Sequence, residues 1–416
     1  MGAAVVGGGL VPAKATTVGQ PLPLRVRKGS LAFRTGQAET PTWLLDGPAP
    51  VTRFEPGSPL AVSLQNDLSL PVSVNWHGLD GAAAAEPLTA LAPLAAGGKA
   101  EFTVPLRGAG TFFADVRLHN SEPSRALPFI VEEAHPPEID RDEVLLLEDI
   151  WLRANGMVVP LEMGTKDAAP IYSVNGRILR DIAVHSNERL RLRFINGCQR
   201  DVVAIKIEGL EVKVMAIDSQ PCEPFPARNS ALVLPPGGRS DAFVDVTSLP
   251  GSNVQILLHN GKEARPIARL VTSNEAPVRP APLPPAPPLP TNGLPAQLDL
   301  KSAQRFDLAI GASEWTPANA LTASPPAFHI KAGRVVVLAL TNRIRLPAMF
   351  HLHGHHFRLL DRLDDGWKPY WLDTLVLQPD ETQRIAFLAE YTGHYLLESA
   401  ATDWAAPRLL RWYSVE

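Results

Sequence analysis

The chain has 416 residues, 39 Lys and Arg against 43 Asp and Glu, a formal charge of −4, and an apolar share of 45%. That length supports several buried cores and sets aside a small stapled module. The near-balance of charge, with no sustained basic run, argues against nucleic acid or an anionic membrane surface as the main partner. With 41 prolines and 30 glycines, the composition favours short strands joined by turns over long helices.

Residues 1–15, MGAAVVGGGLVPAKA, resemble the apolar core of a secretory signal ending in the small-residue pattern Ala13-Lys14-Ala15, although the charged n-region is missing. A start codon assigned too late explains the missing charge, and a small-residue tail is the alternative. The reading adopted is export to the periplasm behind a truncated leader. No other stretch approaches the roughly 20 apolar residues of a membrane span, so no membrane span is expected.

Three pieces follow, 16–135, 136–275 and 297–416, each the size of one β-sandwich. The first break falls at Ala134-His-Pro-Pro137, and the second is the proline tract from Ala276 to Pro290, read with its flank as an extended linker over 276–296. Each piece repeats a Gly- or Asn-marked turn, an alternating strand and a terminal Asn. The three copies are Val62 to Asn66, Leu190 to Asn196 and Val335 to Asn342. Such a repeat predicts one duplicated all-β unit.

In the second piece, Cys198 and Cys222 permit one disulfide in an exported chain, or two buried free thiols. In the third, FHLHGHHF over 350–357 holds four of the eleven histidines. At the period of a strand, His351, His353 and His355 would share one face and His356 the other. Asp361 to Gly366 reads as a solvated hairpin with an Asp-Gly turn.

Taken together, Asn75-Trp76-His77-Gly78, Gly110-Thr-Phe-Phe113, His351-Leu-His-Gly-His355 and Gly393-His-Tyr-Leu-Leu-Glu398 resemble, in order and spacing, the multicopper oxidases. Val174-Asn-Gly176, Ala216-Ile-Asp218 and Leu234 to Asp241 resemble that family's copper-free second domain. The resemblance implies three cupredoxin-like Greek-key β-sandwich domains. It also implies a trinuclear copper cluster between the first and third domains, and an electron-accepting copper in the third.

Carried over residue by residue, the electron-accepting site falls on Ala348, Ser399, Trp404 and Leu409, none of which supplies imidazole or thiolate. The cluster's eight histidines fall on Asn75, His77, Asp115, Arg117, His351, His353, Glu398 and Ala400, so three remain. Two readings follow. In one, a polar network replaces the metals, with Arg117 opposite Glu398 beside His353, Asp115 on His77, and Asn75 on His351. No cofactor is then expected, and the chain is a non-catalytic scaffold with a protein partner in the cell envelope. It would be similar in this to the SufI-type division proteins and would serve cell division or envelope stress. In the other, His77, His351 and His353 hold one copper or zinc in a metalloprotein or oxidoreductase without laccase activity. On this reading of the sequence His355 is a structural hydrogen-bonding residue, His356 is peripheral and Trp76 is core.

Overall fold

The computed structural model describes residues 21–33, 39–118, 122, 124–361 and 366–416. The leader reading of residues 1–15 and the tip of the 361–366 hairpin lie outside these residues.

Three pairs of antiparallel-rich sheets succeed one another along the chain. The first pairs a five-stranded sheet (Lys99–Val104, Leu60–Asn66, Leu22–Leu31, Thr40–Asp46, Ser124–Arg125) with a four-stranded one (Thr52–Phe54, Leu127–Val131, Gly110–Asp115, Asn75–His77). The second pairs six strands centred on Arg189–Asn196 with five centred on Asn253–His259. In the third, a five-stranded sheet containing Arg334–Asn342 faces one ordered His329–Ile330, Arg408–Val415, Gly393–Ala401, Ala348–Leu352, Thr374–Leu377. Apolar alternation drives each assembly. In Leu22–Leu31 the residues Leu22, Leu24 and Val26 point inward while Pro23 and Arg25 stay exposed, as a half-buried strand requires.

The repeat read from the sequence has a physical basis. Asn66, Asn196 and Asn342 are each fully buried. Each Nδ2 donates to two or more main-chain carbonyls, and each Oδ1 accepts the N–H two residues on, at Leu68, Cys198 and Ile344. The side chain thus satisfies the turn leaving the strand, a job its short amide does in all three sandwiches. In each, the first strand also pairs in parallel with the Asn-ended strand, as Leu22 does with Val62, Arg141 with Leu190 and Gln304 with Val336.

The sandwiches are fastened by buried ions. Arg191 and Arg193 lie on the polar face of an alternating strand, yet that face is interior. Arg191 reaches Glu133 at 2.7 Å and Asp241 at 2.6 Å, and Arg193 reaches Asp142 at 2.6 Å and Asp241 at 3.0 Å. Arg239, at 0% exposure, donates to both oxygens of Asp373 at 2.9 and 2.7 Å. Cys198 and Cys222 are buried free thiols in the core of the second sandwich, the second of the two alternatives left by their spacing.

Candidate metal centre at the sandwich junction

Asn75–His77 is a short strand paired with Gly110–Asp115, so that Asn75 lies opposite Asp115. In the third sandwich Ala348–Leu352 pairs with Gly393–Ala401, which sets His351 opposite Glu398. These two strand pairs bring Asn75, His77, Asp115, His351, His353 and Glu398 into one buried cluster.

His77 donates from Nε2 to Asp115 at 3.0 Å and stacks on Phe113 and His351, with ring centroids 3.9 and 4.8 Å away. Burial holds the His77 imidazole below its usual range despite Asp115. Burial works against the Asp115 charge, but the His77 hydrogen bond and the Arg117 guanidinium keep that carboxyl well below the usual range. Asn75 donates not to His351 but to Glu398 Oε2 at 3.2 Å. His351 keeps an Nδ1 without a hydrogen-bond partner, and burial followed by the nearby His353 pushes its imidazole far down. His353 donates from Nδ1 to Glu86 at 2.7 Å and turns Nε2 toward Glu398 Oε2 at 3.4 Å.

The ion pair expected between Arg117 and Glu398 is not the one formed. Arg117 turns toward the first–second sandwich seam. There its guanidinium donates to the Gln199 side-chain oxygen at 2.7 Å and to the Ser124 carbonyl at 3.2 Å, with Asp115 no closer than 3.9 Å. Arg408 takes its place against Glu398 Oε1. Burial, with Arg200 and Arg117 nearby, lowers that guanidinium to about 9. The substitution is geometric, since Arg408 faces Ala400 across the Gly393–Ala401 strand pair, two residue pairs along from Leu410 opposite Glu398.

The four positions carried over to the electron-accepting site are occupied by packing. Ala348 sits in the third sandwich's core with Leu409 against it. Ser399 donates to the Met349 carbonyl at 2.7 Å. Trp404 inserts beside Val159 and Leu161 of the second sandwich and donates to the carbonyls of Val159 and Pro160 at 3.2 and 2.9 Å.

Two histidines depart from their expected places. Gly354 adopts φ +73°, and a Cβ there would lie 2.2 Å from the Tyr395 ring. The strand therefore ends at Leu352 and its period of two fails beyond it. His355 accordingly turns away from His351 into the aromatic core, donating to the Tyr413 hydroxyl at 2.7 Å while its Nε2 accepts the Tyr391 N–H at 3.3 Å. Its burial pushes it down to about 4. His356 is not peripheral. It is 3% exposed and donates from Nδ1 to Asp80 at 2.8 Å and from Nε2 to the Asp218 carbonyl at 2.7 Å, joining all three sandwiches. Trp76 packs edge-on against Phe102 and Phe129 in the first core.

The residues that sequence reasoning missed are Glu86, Asp373 and Arg408. Glu86 precedes a proline in a small-residue stretch and carries no motif. Arg408 and Asp373 likewise fall in no motif.

Comparison with known proteins places this geometry. The family models for multicopper oxidase match residues 141–268 and 295–416, together more than half of the chain. The multicopper oxidase MmcO of Mycobacterium tuberculosis is 24% identical, the match covering 84% of this chain and 78% of that protein. The crystal structure of a multicopper oxidase from Pseudomonas thermotolerans superposes with a TM-score of 0.81 at 24% identity, over 95% of this chain and 99% of that one. Lac15 from a marine microbial metagenome does so at 0.79 and 25%, over 95% and 100%. With three successive cupredoxin sandwiches and this histidine-bearing junction, the chain belongs to the multicopper oxidase family.

Proposed function

We propose that this chain has given up one-electron copper oxidation and works by binding in the cell envelope, as a periplasmic scaffold of the SufI type with a protein partner in division or envelope stress. The observation that carries the reading is the state of the four positions matching the electron-accepting copper. Ala348, Ser399, Trp404 and Leu409 offer neither thiolate nor imidazole, and Ser399 and Trp404 spend their polar atoms on main-chain carbonyls. Both cysteines are committed to the second sandwich's core, where burial pushes the Cys222 thiol up to about 12. Neither can be recruited as the copper thiolate that such a site requires.

The cluster positions support the same conclusion. A trinuclear copper site is assembled from many imidazoles, and here Asp115 occupies His77 Nε2 while Arg408 occupies Glu398 Oε1. A guanidinium cation inside a donor set opposes several more cations beside it. These residues do not fit the family's copper complement.

The test is copper reconstitution followed by oxygen consumption with a cuprous salt and with a phenol. No turnover with either substrate, from protein that remains folded, is the expected result. Turnover in both, with a thiolate–copper absorption band, would show that an electron entry site exists after all. Partner capture by crosslinking in the envelope fraction tests the scaffold role separately, and the absence of any reproducible crosslinked protein would count against it.

A further inference from the structure

Three buried metal-ligating atoms converge in the junction. His353 donates its Nδ1 proton to Glu86 Oε1 at 2.7 Å, which fixes the tautomer and leaves Nε2 as an acceptor. That nitrogen faces Glu398 Oε2 at 3.4 Å, and His351 Nδ1, which has no hydrogen-bond partner, faces the same oxygen at 3.8 Å. All three atoms are buried and lie within 4.8 Å of one another. Acceptor against acceptor in a dry interior is unfavourable unless a cation stands between them.

From this convergence we infer that His351, His353 and Glu398 bind one divalent cation of the zinc class, a ligand set distinct from the His77–His351–His353 set that the sequence suggests. This rests on the reading that the family's copper cluster has been given up. His77 lies outside the set: Asp115 takes its Nε2 at 3.0 Å, and its unpartnered Nδ1 is not among the atoms gathered with Glu398.

The spacing suits an ion better than hydrogen bonds. Separations of 3.4 and 3.8 Å are long for a hydrogen bond. Ligand atoms about 2.0–2.2 Å from a tetrahedral zinc stand roughly 3.3–3.6 Å apart. The two separations to Glu398 are already close to that spacing, and drawing the wider set, within 4.8 Å, around such an ion takes a side-chain movement on the order of 1 Å.

The surroundings are those of a supported site. Glu86 orients His353, as an outer carboxylate orients a ligating imidazole. Arg408 holds Glu398 by Oε1 and leaves Oε2 for the ion. Asn75 donates to that oxygen at 3.2 Å, and so fixes the carboxylate's direction. Arg117 is turned away to Gln199 and Ser124, so Arg408 on Oε1 is the guanidinium beside the set. Two imidazoles and one carboxylate, without sulfur, suit zinc or copper(II) over cuprous ion.

The experiment loads the full chain with zinc sulfate, desalts it and measures retained zinc by elemental analysis. Cobalt(II) loading reports coordination geometry by its visible spectrum. About one zinc per chain is expected, with an intense four-coordinate cobalt spectrum. Retention should be lost in His351→Ala and in His353→Ala. Glu86→Gln, whose first effect is on the orientation of His353, should weaken zinc about 10- to 100-fold. Circular dichroism and the metal-free melting temperature of each variant identify any that fail to fold, and Glu86→Gln keeps the comparison available if a histidine variant does. Two results would overturn the inference: no zinc retained by folded wild type, which would mean that a proton shared by His353 and the two glutamates stands where the ion is inferred, or equal retention in the histidine variants. Several retained coppers with a thiolate band would instead sink the loss of oxidase chemistry, so the two failures are distinguishable.

Discussion

The replacement His356→Gln should remove a defined pH dependence of stability. In the folded chain both ring nitrogens donate, to Asp80 and to the Asp218 carbonyl, so the imidazolium form is the one the site accepts. Burial alone would lower its pKa, but the Asp80 charge and hydrogen bond, with Asp373 at 3.8 Å, lift it to about 9, while Arg239 opposes. Gln220 Nε2 lies 3.3 Å from Nδ1 and adds no charge. A folded value above the unfolded 6.5 means that the proton stabilises the fold. The contribution is full below pH 6.5 and is lost as pH rises through 9.

At about 1.4 kcal/mol per pH unit, the rise from 6.5 to about 9 amounts to on the order of 3 kcal/mol. That corresponds to roughly 6–12 °C in melting temperature for a domain of about 150–250 residues. Urea unfolding across pH 6–10, for wild type and His356→Gln, is the assay. The difference between the two proteins should be largest near pH 6.5 and shrink toward pH 9.5, because other groups titrate equally in both. A difference that stays constant with pH would refute the reasoning and reduce His356 to a packing residue.

Removing Arg239 as Arg239→Met leaves Asp373 and Asp218 buried without their cation. About 3–5 kcal/mol should be lost, measured by denaturant unfolding, and a double-mutant cycle with Asp373→Asn should return strong coupling. Trp404→Ala empties the contact between the second and third sandwiches and strands two carbonyls, so a loss of about 3–5 kcal/mol is expected in calorimetry. Gly354→Ala forces a Cβ into the Tyr395 ring at positive φ. It should destabilise by about 2–4 kcal/mol, read as a lower melting temperature. Ser399→Cys restores a sulfur without its imidazole partners, and copper loading of this variant should produce no intense thiolate–copper absorption.

Much of the fold was legible because its signals are local. Alternation along Leu22–Leu31 and the terminal Asn of three equivalent strands report backbone needs that the sequence writes within a few residues. The site was legible only in part. The pairing of His77 with Asp115 follows from neighbouring strands whose motifs are readable. The partner of Glu398 is not, because Arg408 reaches it across a strand pair whose register no motif encodes. His356 was misplaced because period-two reasoning ran through Gly354, where positive φ resets the chain. The alternation of Arg191 and Arg193 marks a strand but not the burial of its polar face, which depends on Glu133 and Thr111 from the first sandwich as well as Asp142 and Asp241 from the second.

The central claim, loss of the oxidase's copper complement, is tested most directly by metal analysis and visible absorption of the copper-loaded, desalted protein. The account predicts at most about one metal ion per chain and no thiolate–copper band. About four coppers per chain with an intense band would contradict it.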